Sequence, residues 1–171
     1  MELLIFSDSH GRCDGMQTAL DRQIRPPQAI CFLGDGLRDT EALFLGRTML
    51  YAVRGNCDWG MHADVPTERT VVLEGHRLLL THGHLYGVKG GIGALIAHAA
   101  RMDADVVLYG HTHMLCNTVI SAGERIGDVT LIRPMYLFNP GSIGHNEDGK
   151  GCSFGTLLLT DETVLLSHGR V

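Results

Sequence analysis

Leu3-Leu4-Ile5-Phe6-Ser7-Asp8-Ser9-His10-Gly11 decides how the chain is read. A short apolar run stops abruptly at a polar, Gly-closed segment. A run of four such residues bounded by turn signals fits a buried strand. The same figure recurs downstream. Ala29-Ile30-Cys31-Phe32-Leu33 ends at Gly34-Asp35-Gly36, and Met49 to Val53 ends at Arg54-Gly55-Asn56-Cys57-Asp58. Between them lie stretches with helical spacing. Asp14 to Ile24 places Met16, Leu20 and Ile24 on one face, and Asp39 to Leu45 reads as a second helix. Pro26-Pro27 marks a turn. Strands alternating with helices imply a parallel sheet with right-handed crossovers.

The second half is richer in strand patterns. Thr70–Leu73 and Arg77–Leu80 are close enough to pair as a hairpin across Glu74-Gly75-His76. Ile92 to Arg101 is an apolar helix candidate. Asp105 to Tyr109 is another strand, ending at Gly110-His111-Thr112-His113. Further strands are expected at Cys116–Ile120, Val129–Ile132, Met135–Phe138, Gly155–Leu159 and Val164–Leu166. Two packed mixed sheets flanked by helices would use both halves.

Composition agrees with one domain spanning residues 1–171. A chain of this length can bury about 70% of its extended surface without a disulfide or metal staple. Hydrophobic residues make up 44% and charged residues 19%, which excludes a disordered chain. Twenty-two glycines without a collagen period point to many tight turns. The net charge of -5 argues against general nucleic-acid binding, while leaving room for a local positive site made by metal ions. Cys13, Cys31, Cys57, Cys116 and Cys152 form no CxxC pair, so they read as reduced thiols. No cationic stretch leads into an apolar one at the start of the sequence, and no run of 18 apolar residues occurs. The cytoplasm is the expected compartment.

The chemistry lies where the apolar runs end. Asp8-x-His10, Gly34-Asp35, Gly55-Asn56, Thr81-His82-Gly83 and Gly110-His111-Thr112-His113 each put metal-ligand side chains at the close of a strand. In open α/β sheets, ligands bind beyond the carboxyl ends of the strands, so five such loops can converge on one spot. Asp8, His10, Asp35, Asn56, His82, His111 and His113 offer carboxylate, imidazole and amide groups but no thiolate. That set suits a divalent first-row ion such as Mn, Fe or Zn. Seven donors exceed the four of a structural zinc and suit two ions sharing one carboxylate. Singly, each piece has a plain alternative. Asp8-x-His10 could be a turn with a surface His, Asp35 a helix cap, Asn56 a turn former, and His111-x-His113 a solvated loop or zinc site. The ordered set weighs against all of these at once.

With these residues in place, the sequence resembles the calcineurin-like metallophosphoesterases, in particular their compact prokaryotic phosphodiesterase branch. The likeness runs through Asp8-Ser9-His10-Gly11, Gly34-Asp35, Gly55-Asn56-Cys57-Asp58, Thr81-His82-Gly83-His84, Gly110-His111-Thr112-His113 and Asn139-Pro140-Gly141-Ser142. The resemblance implies a four-layer αββα sandwich. It implies Asp8, His10 and His113 on a first ion, Asn56, His82 and His111 on a second, and Asp35 bridging, with a hydroxide between the ions as nucleophile. Asp35, Asn56 and His82 would then be catalytic as well as ligating. Two divalent ions per chain are expected, Mn foremost, with Fe, Zn, Ni and Co compatible. Two ions and two carboxylates would leave about +2 at the centre, enough to draw in a phosphate ester despite the net charge of -5.

The sequence also departs from the wider superfamily. Where many members carry a His directly after the Asn, this chain has Cys57, as the compact branch commonly does. Gly36-Leu37-Arg38-Asp39 replaces the Asp-Arg-Gly continuation of the phosphatases. The short stretch between Asp58 and His82 has no room for a large cap. Asp58 would either orient a ligand His or cap a turn, and His84 would contact phosphate, donate a proton or lie on the surface. Cys57 would be either a reactive thiol or a packed one. Trp59 and His62 are candidates for the rim of the substrate entrance, and Lys89, Arg38 and Arg54 for phosphate contacts. Asn139-Pro140-Gly141-Ser142 reads as a structural turn near the site. His62, His76, His98, His145 and His168 are expected to be exposed. The expected function is hydrolysis of small phosphodiesters. The alternative is a non-catalytic protein-binding scaffold of the same fold, like the retromer subunit that has lost part of the ligand set. No membrane partner is expected, and a homo-oligomer is compatible with the sequence.

Overall fold

The structure, a computed structural model, describes residues 1–43, 45–60 and 62–171. Strand β1 (Glu2–Phe6) is buried on both faces, which is why its sequence is an unbroken apolar run. Leu3 and Ile5 face the second sheet, whereas Leu4 and Phe6 face helix α1 (Asp14–Asp21). β1 pairs in parallel with β2 (Ala29–Phe32), and β2 with β3 (Met49–Ala52). Two C-terminal strands close the other side antiparallel, β11 (Ser153–Leu159) and β12 (Val164–Arg170), giving the order β12-β11-β1-β2-β3.

The second sheet has the order β4-β5-β6-β10-β7. Its hairpin is β4 (Glu68–Leu73) and β5 (His76–Thr81); β6 (Val106–Tyr109) and β10 (Met135–Pro140) run parallel to β5, and β7 (Leu115–Ile120) is an antiparallel edge. A small ribbon, β8 (Arg125–Ile126) with β9 (Val129–Thr130), forms a separate two-stranded sheet whose Ile126 and Val129 pack on the outer core of the second sheet. Leu78, Leu80, Val106, Leu108 and Phe138 meet Leu3, Ile5, Leu157 and Leu159 in the core between the sheets. The outer face of the first sheet carries α1 and the short α2 (Leu37–Thr40). That of the second carries α3 (Gly93–Arg101), through Leu95, Ala99 and Ala100. These are the four layers, αββα.

Both N-terminal helices are shorter than their sequence patterns. α1 stops at Asp21 because the Gln23 side-chain amide donates to the Ala19 carbonyl at 2.8 Å and the chain then enters Pro26. Ile24, expected on the buried helix face, lies outside the helix and is fully exposed. α2 starts at Leu37 rather than Asp39 and ends after Thr40, whose hydroxyl donates to the Leu37 carbonyl at 2.7 Å. Phe44, within the expected second helix, lies outside the described residues. The expected strand at 129–132 is only the two residues of β9, and β8, its partner, went unanticipated.

Candidate metal centre

Every candidate donor follows the C-terminal end of a parallel strand. Asp8 and His10 follow β1, Asp35 follows β2 and Asn56 follows β3, all in the first sheet; His82 follows β5, and His111 and His113 follow β6, in the second. The backbone at these positions is unusual. Seven non-Gly residues among those described have positive φ, and five of them are Asp8, His10, Asp35, His111 and His113. L-residues occupy that region reluctantly, and a cluster of them is a mark of a functional site.

The donor atoms converge. The Nε2 of His82 lies 3.2 Å from Asp35 Oδ2, 3.1 Å from Asn56 Oδ1 and 3.2 Å from His111 Nδ1. A second group forms beside it: His113 Nε2 is 3.1 Å from Asp8 Oδ1 and 3.2 Å from His10 Nε2. Asp35 joins the two, since Oδ2 is also 4.0 Å from His10 Nε2. Asp8–His10–His113 and Asp35–His82–His111 each gather their ligand atoms within 4.8 Å, as does His10–Asp35–Cys57.

Backbone groups and a buried scaffold fix these positions. Asp58 is buried, and its carboxylate accepts the N–H groups of Asp35, Gly36, Leu37 and Gly55 at 2.7–2.9 Å. It therefore ties the Asp35 loop to the Asn56 loop and caps α2; of its two expected roles, the turn cap is the one its hydrogen bonds describe. Asn139 donates to the Gly110 carbonyl at 2.9 Å and to the Thr112 hydroxyl at 3.1 Å, bracing the His111–His113 loop. The Ser142 hydroxyl donates to the Asp8 carbonyl at 2.7 Å. The Asp39 carboxylate accepts from Ser9 and from the Gly11 N–H, a role with no sequence signal, since its partners lie almost thirty residues earlier. Two glycines are required by close approach: a Cβ on Gly110 would stand 1.9 Å from Ser7 Oγ, and one on Gly55 2.1 Å from Asp35 Oδ1.

Protonation follows from these contacts. His82 is fully buried, and its Nδ1 donates to the Leu33 carbonyl at 2.7 Å, which leaves Nε2 turned to the donor cluster. Burial would lower the His82 pKa, but the carboxylates of Asp35 and Asp8 outweigh it and raise the value. The Asp8 carboxylate likewise raises His113. Burial would raise Asp35, but His82 and the Cys57 N–H hold it well below the usual carboxylate range. Burial and the charge of His82 push His111 down to about 4 and lower His84.

Asp8 tests whether the residues fit a cation. Its Oδ2 accepts from the Ser7 hydroxyl and the His111 N–H, but Oδ1 is buried with no aligned hydrogen-bond donor among the described residues, only the Nε2 atoms of His113 and His82 at 3.1 and 3.9 Å. A carboxylate oxygen left so inside a protein is costly unless a cation takes it. Together with imidazole nitrogens facing one another at 3.2 Å, it makes a site whose oxygens and nitrogens fit divalent cations.

Other expected residues fall in various places. His84 is half-buried, with its ring centroid 5.3 Å from that of His82. Cys57 is exposed rather than packed, and desolvation with the nearby Asp35 carboxylate pushes its thiol up to about 11, away from a reactive thiolate. A cleft of about 400 Å³ opens beside Asn56, lined in part by Arg54, Trp59 and His84. His62 lies 4.0 Å from Glu41 instead, and Arg38 is exposed. Lys89 lines a separate cleft beside Thr112. Of the histidines expected to be exposed, only His145 is. His76 meets Asp105 at 3.4 Å, His98 meets Glu68 at 3.0 Å, and His168 stacks on Phe138.

The chain is similar to known proteins over nearly its whole length. A family model described as the calcineurin-like phosphoesterase superfamily domain matches residues 1–162. The probable metallophosphoesterase YsnB of Bacillus subtilis (strain 168) is 33% identical over 165 residues, covering 96% of this chain and 88% of that protein. Phosphodiesterase YfcE of Escherichia coli (strain K12) is 30% identical over 179 aligned positions, covering 92% and 87%. The crystal structure of a predicted phosphoesterase from Streptococcus pneumoniae TIGR4 superposes with a TM-score of 0.76 at 25% identity, covering 98% and 87%.

Proposed function

Because the chain belongs to the calcineurin-like phosphoesterase superfamily, we propose that it is a metal-dependent phosphodiesterase that holds two divalent cations and cleaves small phosphodiesters. One observation carries the reading: donors from five loops of two sheets converge, while the buried Oδ1 of Asp8 has no aligned hydrogen-bond donor among the described residues and faces imidazole nitrogens instead. In this reading Asp8, His10 and His113 hold one cation, Asn56, His82 and His111 the other, and Asp35 both. Two such cations, Mn foremost, would supply positive charge against the phosphate oxygens and acidify a water enough for attack at neutral pH.

The protein's part is positioning and charge. The Leu33 carbonyl holds His82 in the tautomer that presents Nε2. Asp58, Asn139 and Ser142 set the ligand loops before any ligand arrives, so the site needs little reorganisation on binding. His84, beside both His82 and the cleft at Asn56, is placed to contact the substrate. Cys57 stands where an imidazole could assist a poor leaving group. Diesters, with one negative charge and no second proton to manage, are therefore favoured over monoesters. A binding scaffold of the same fold would not need all seven donors, so their completeness favours an enzyme.

The whole chain is assigned to one metallophosphoesterase domain. Its five free cysteines suit the cytoplasm, and its net charge of -5 disfavours general nucleic-acid binding. No helix among the described residues is long and apolar enough to cross a membrane. The test is a screen of the Mn²⁺-loaded protein against phosphodiester and phosphomonoester libraries. Chelator-sensitive hydrolysis with diesters preferred is expected, and a fully loaded protein that hydrolyses neither class would overturn the reading.

A further inference from the structure

Building on the phosphodiesterase reading, we infer that the cleft beside Asn56 receives one planar aromatic arm of the diester, a nucleobase or similar ring, stacked on Trp59. The cleft has a volume of about 400 Å³ and is lined chiefly by Arg54, Asn56, Trp59, Thr67, His84 and Leu85. That volume suits a nucleoside-sized group and is small for anything much larger. Two of its lining residues are large apolar side chains left in water: Trp59 is 85% exposed and Leu85 is 64% exposed. They come from different loops, Trp59 from the connection after β3 and Leu85 from the turn after β5. Apolar surface gathered at the edge of a polar site marks a place where a ligand is covered. An indole gives a flat face on which a ring of any base can stack.

The polar groups of the cleft suit such an arm. Arg54 brings a cation to it, and His84 Nδ1 is a buried atom with no hydrogen-bond partner among the described residues. Both are available to the heteroatoms of a base or to its phosphate. The Asp58 carboxylate, which also lines the cleft, is fully engaged by backbone N–H groups, so it does not oppose an anionic ligand with a free acceptor. Asn56 belongs to both the cleft and the donor cluster, with Oδ1 3.1 Å from His82 Nε2. An arm lodged in the cleft thus leaves its phosphate at the centre. A simple alkyl arm would forgo the stacking, which is worth about 10- to 100-fold in affinity for one ring.

Trp59 is the chain's single tryptophan, so its fluorescence reports on this cleft alone. The metal-loaded protein is mixed by stopped flow with the methyl diester of adenosine 5′-phosphate and with dimethyl phosphate, so that binding is read before turnover. The adenosine diester should quench the indole and bind about 10- to 100-fold more tightly. Competition of the two diesters against bis(p-nitrophenyl) phosphate hydrolysis should show that preference lost in Trp59→Ala and kept in Trp59→Phe. Equal affinity for the two diesters, absence of quenching, or a preference unchanged in Trp59→Ala overturns the inference. Hydrolysis of bis(p-nitrophenyl) phosphate by the same preparation is followed separately. Its failure would count against the phosphodiesterase reading, whereas loss of the adenosine preference beside intact hydrolysis would count against the cleft assignment alone.

Discussion

Asp35 and His82 come from different sheets, yet Asp35 Oδ2 lies 3.2 Å from His82 Nε2. The contact joins the ends of β2 and β5 across the seam of the sandwich. The candidate centre is therefore built by sheet packing as much as by any one loop, and changes along the seam should be felt in metal binding.

Asp35→Asn tests the shared position. Asp35 Oδ2 faces both donor groups, so the variant should weaken both cation sites. Diester hydrolysis should fall by about 1,000-fold, more than for His10→Ala or Asn56→Ala. Steady-state kinetics beside circular dichroism checks this, and full activity in a folded variant would remove Asp35 from the centre.

Asn139→Ala removes the amide that braces the Gly110 carbonyl and the Thr112 hydroxyl. Asn139 lies behind the His111–His113 loop rather than among the donors. Metal affinity should drop by about 10- to 100-fold while the far-ultraviolet spectrum holds. A metal titration reading the wild-type affinity would show that the loop does not need the brace.

Gly110→Ala places a methyl group 1.9 Å from Ser7 Oγ and 2.8 Å from Asp8 Oδ2. The Asp8 loop or the His111 loop must shift. The expected cost is about 1–3 kcal/mol of stability, with weaker metal binding besides. Chemical denaturation of the chelated protein measures the first, and wild-type stability would show that the approach is less close.

The pH dependence of the metal-free protein has a definite sign. His82 and His113 have raised folded pKa values, so their contribution is complete below about 6.5 and is lost as pH rises through those values. His111, near 4, and His84 are lowered, so both cost stability as pH falls below about 6.5. Asp35, lowered, contributes above its ordinary carboxylate range and loses that contribution only in strong acid. Thermal stability in chelator should therefore peak near pH ~6.5. Metal binding must expel any protons that His82 and His113 carry, so affinity should rise with pH and binding should release protons. Calorimetry in buffers of different ionisation enthalpy counts them, and no proton release would contradict the assignment.

Much of this was readable from the sequence because strand and ligand are adjacent in it. Leu3–Phe6 and Val106–Tyr109 are buried on both faces, so they read as solid apolar runs, and Asp8 and His111 each stand two residues past their ends. What escaped depends on distant partners. Asp58 serves backbone N–H groups more than twenty residues earlier, and His98 is held by Glu68 thirty residues away. The overrun of α1 to Ile24 has a local cause: periodicity continued, but Gln23 had already taken the Ala19 carbonyl. Cys57 reads as either a reactive thiol or a packed one, and only the convergence of Asp35 and His10 around it reveals its place.

Cys57→His would put an imidazole beside the donors, where Cys57 Sγ already lies among His10 and Asp35. An added imidazole can help a poor leaving group depart. The ratio of monoester to diester turnover should rise by about 10-fold or more. An unchanged ratio would show that the side chain at this position does not set the preference.

The most direct test of the two-cation centre is elemental analysis of protein stripped by chelator, reconstituted with Mn²⁺ and freed of excess metal. Seven donors sharing the Asp35 carboxylate predict saturation at two ions per chain. Saturation at one ion per chain would contradict the account.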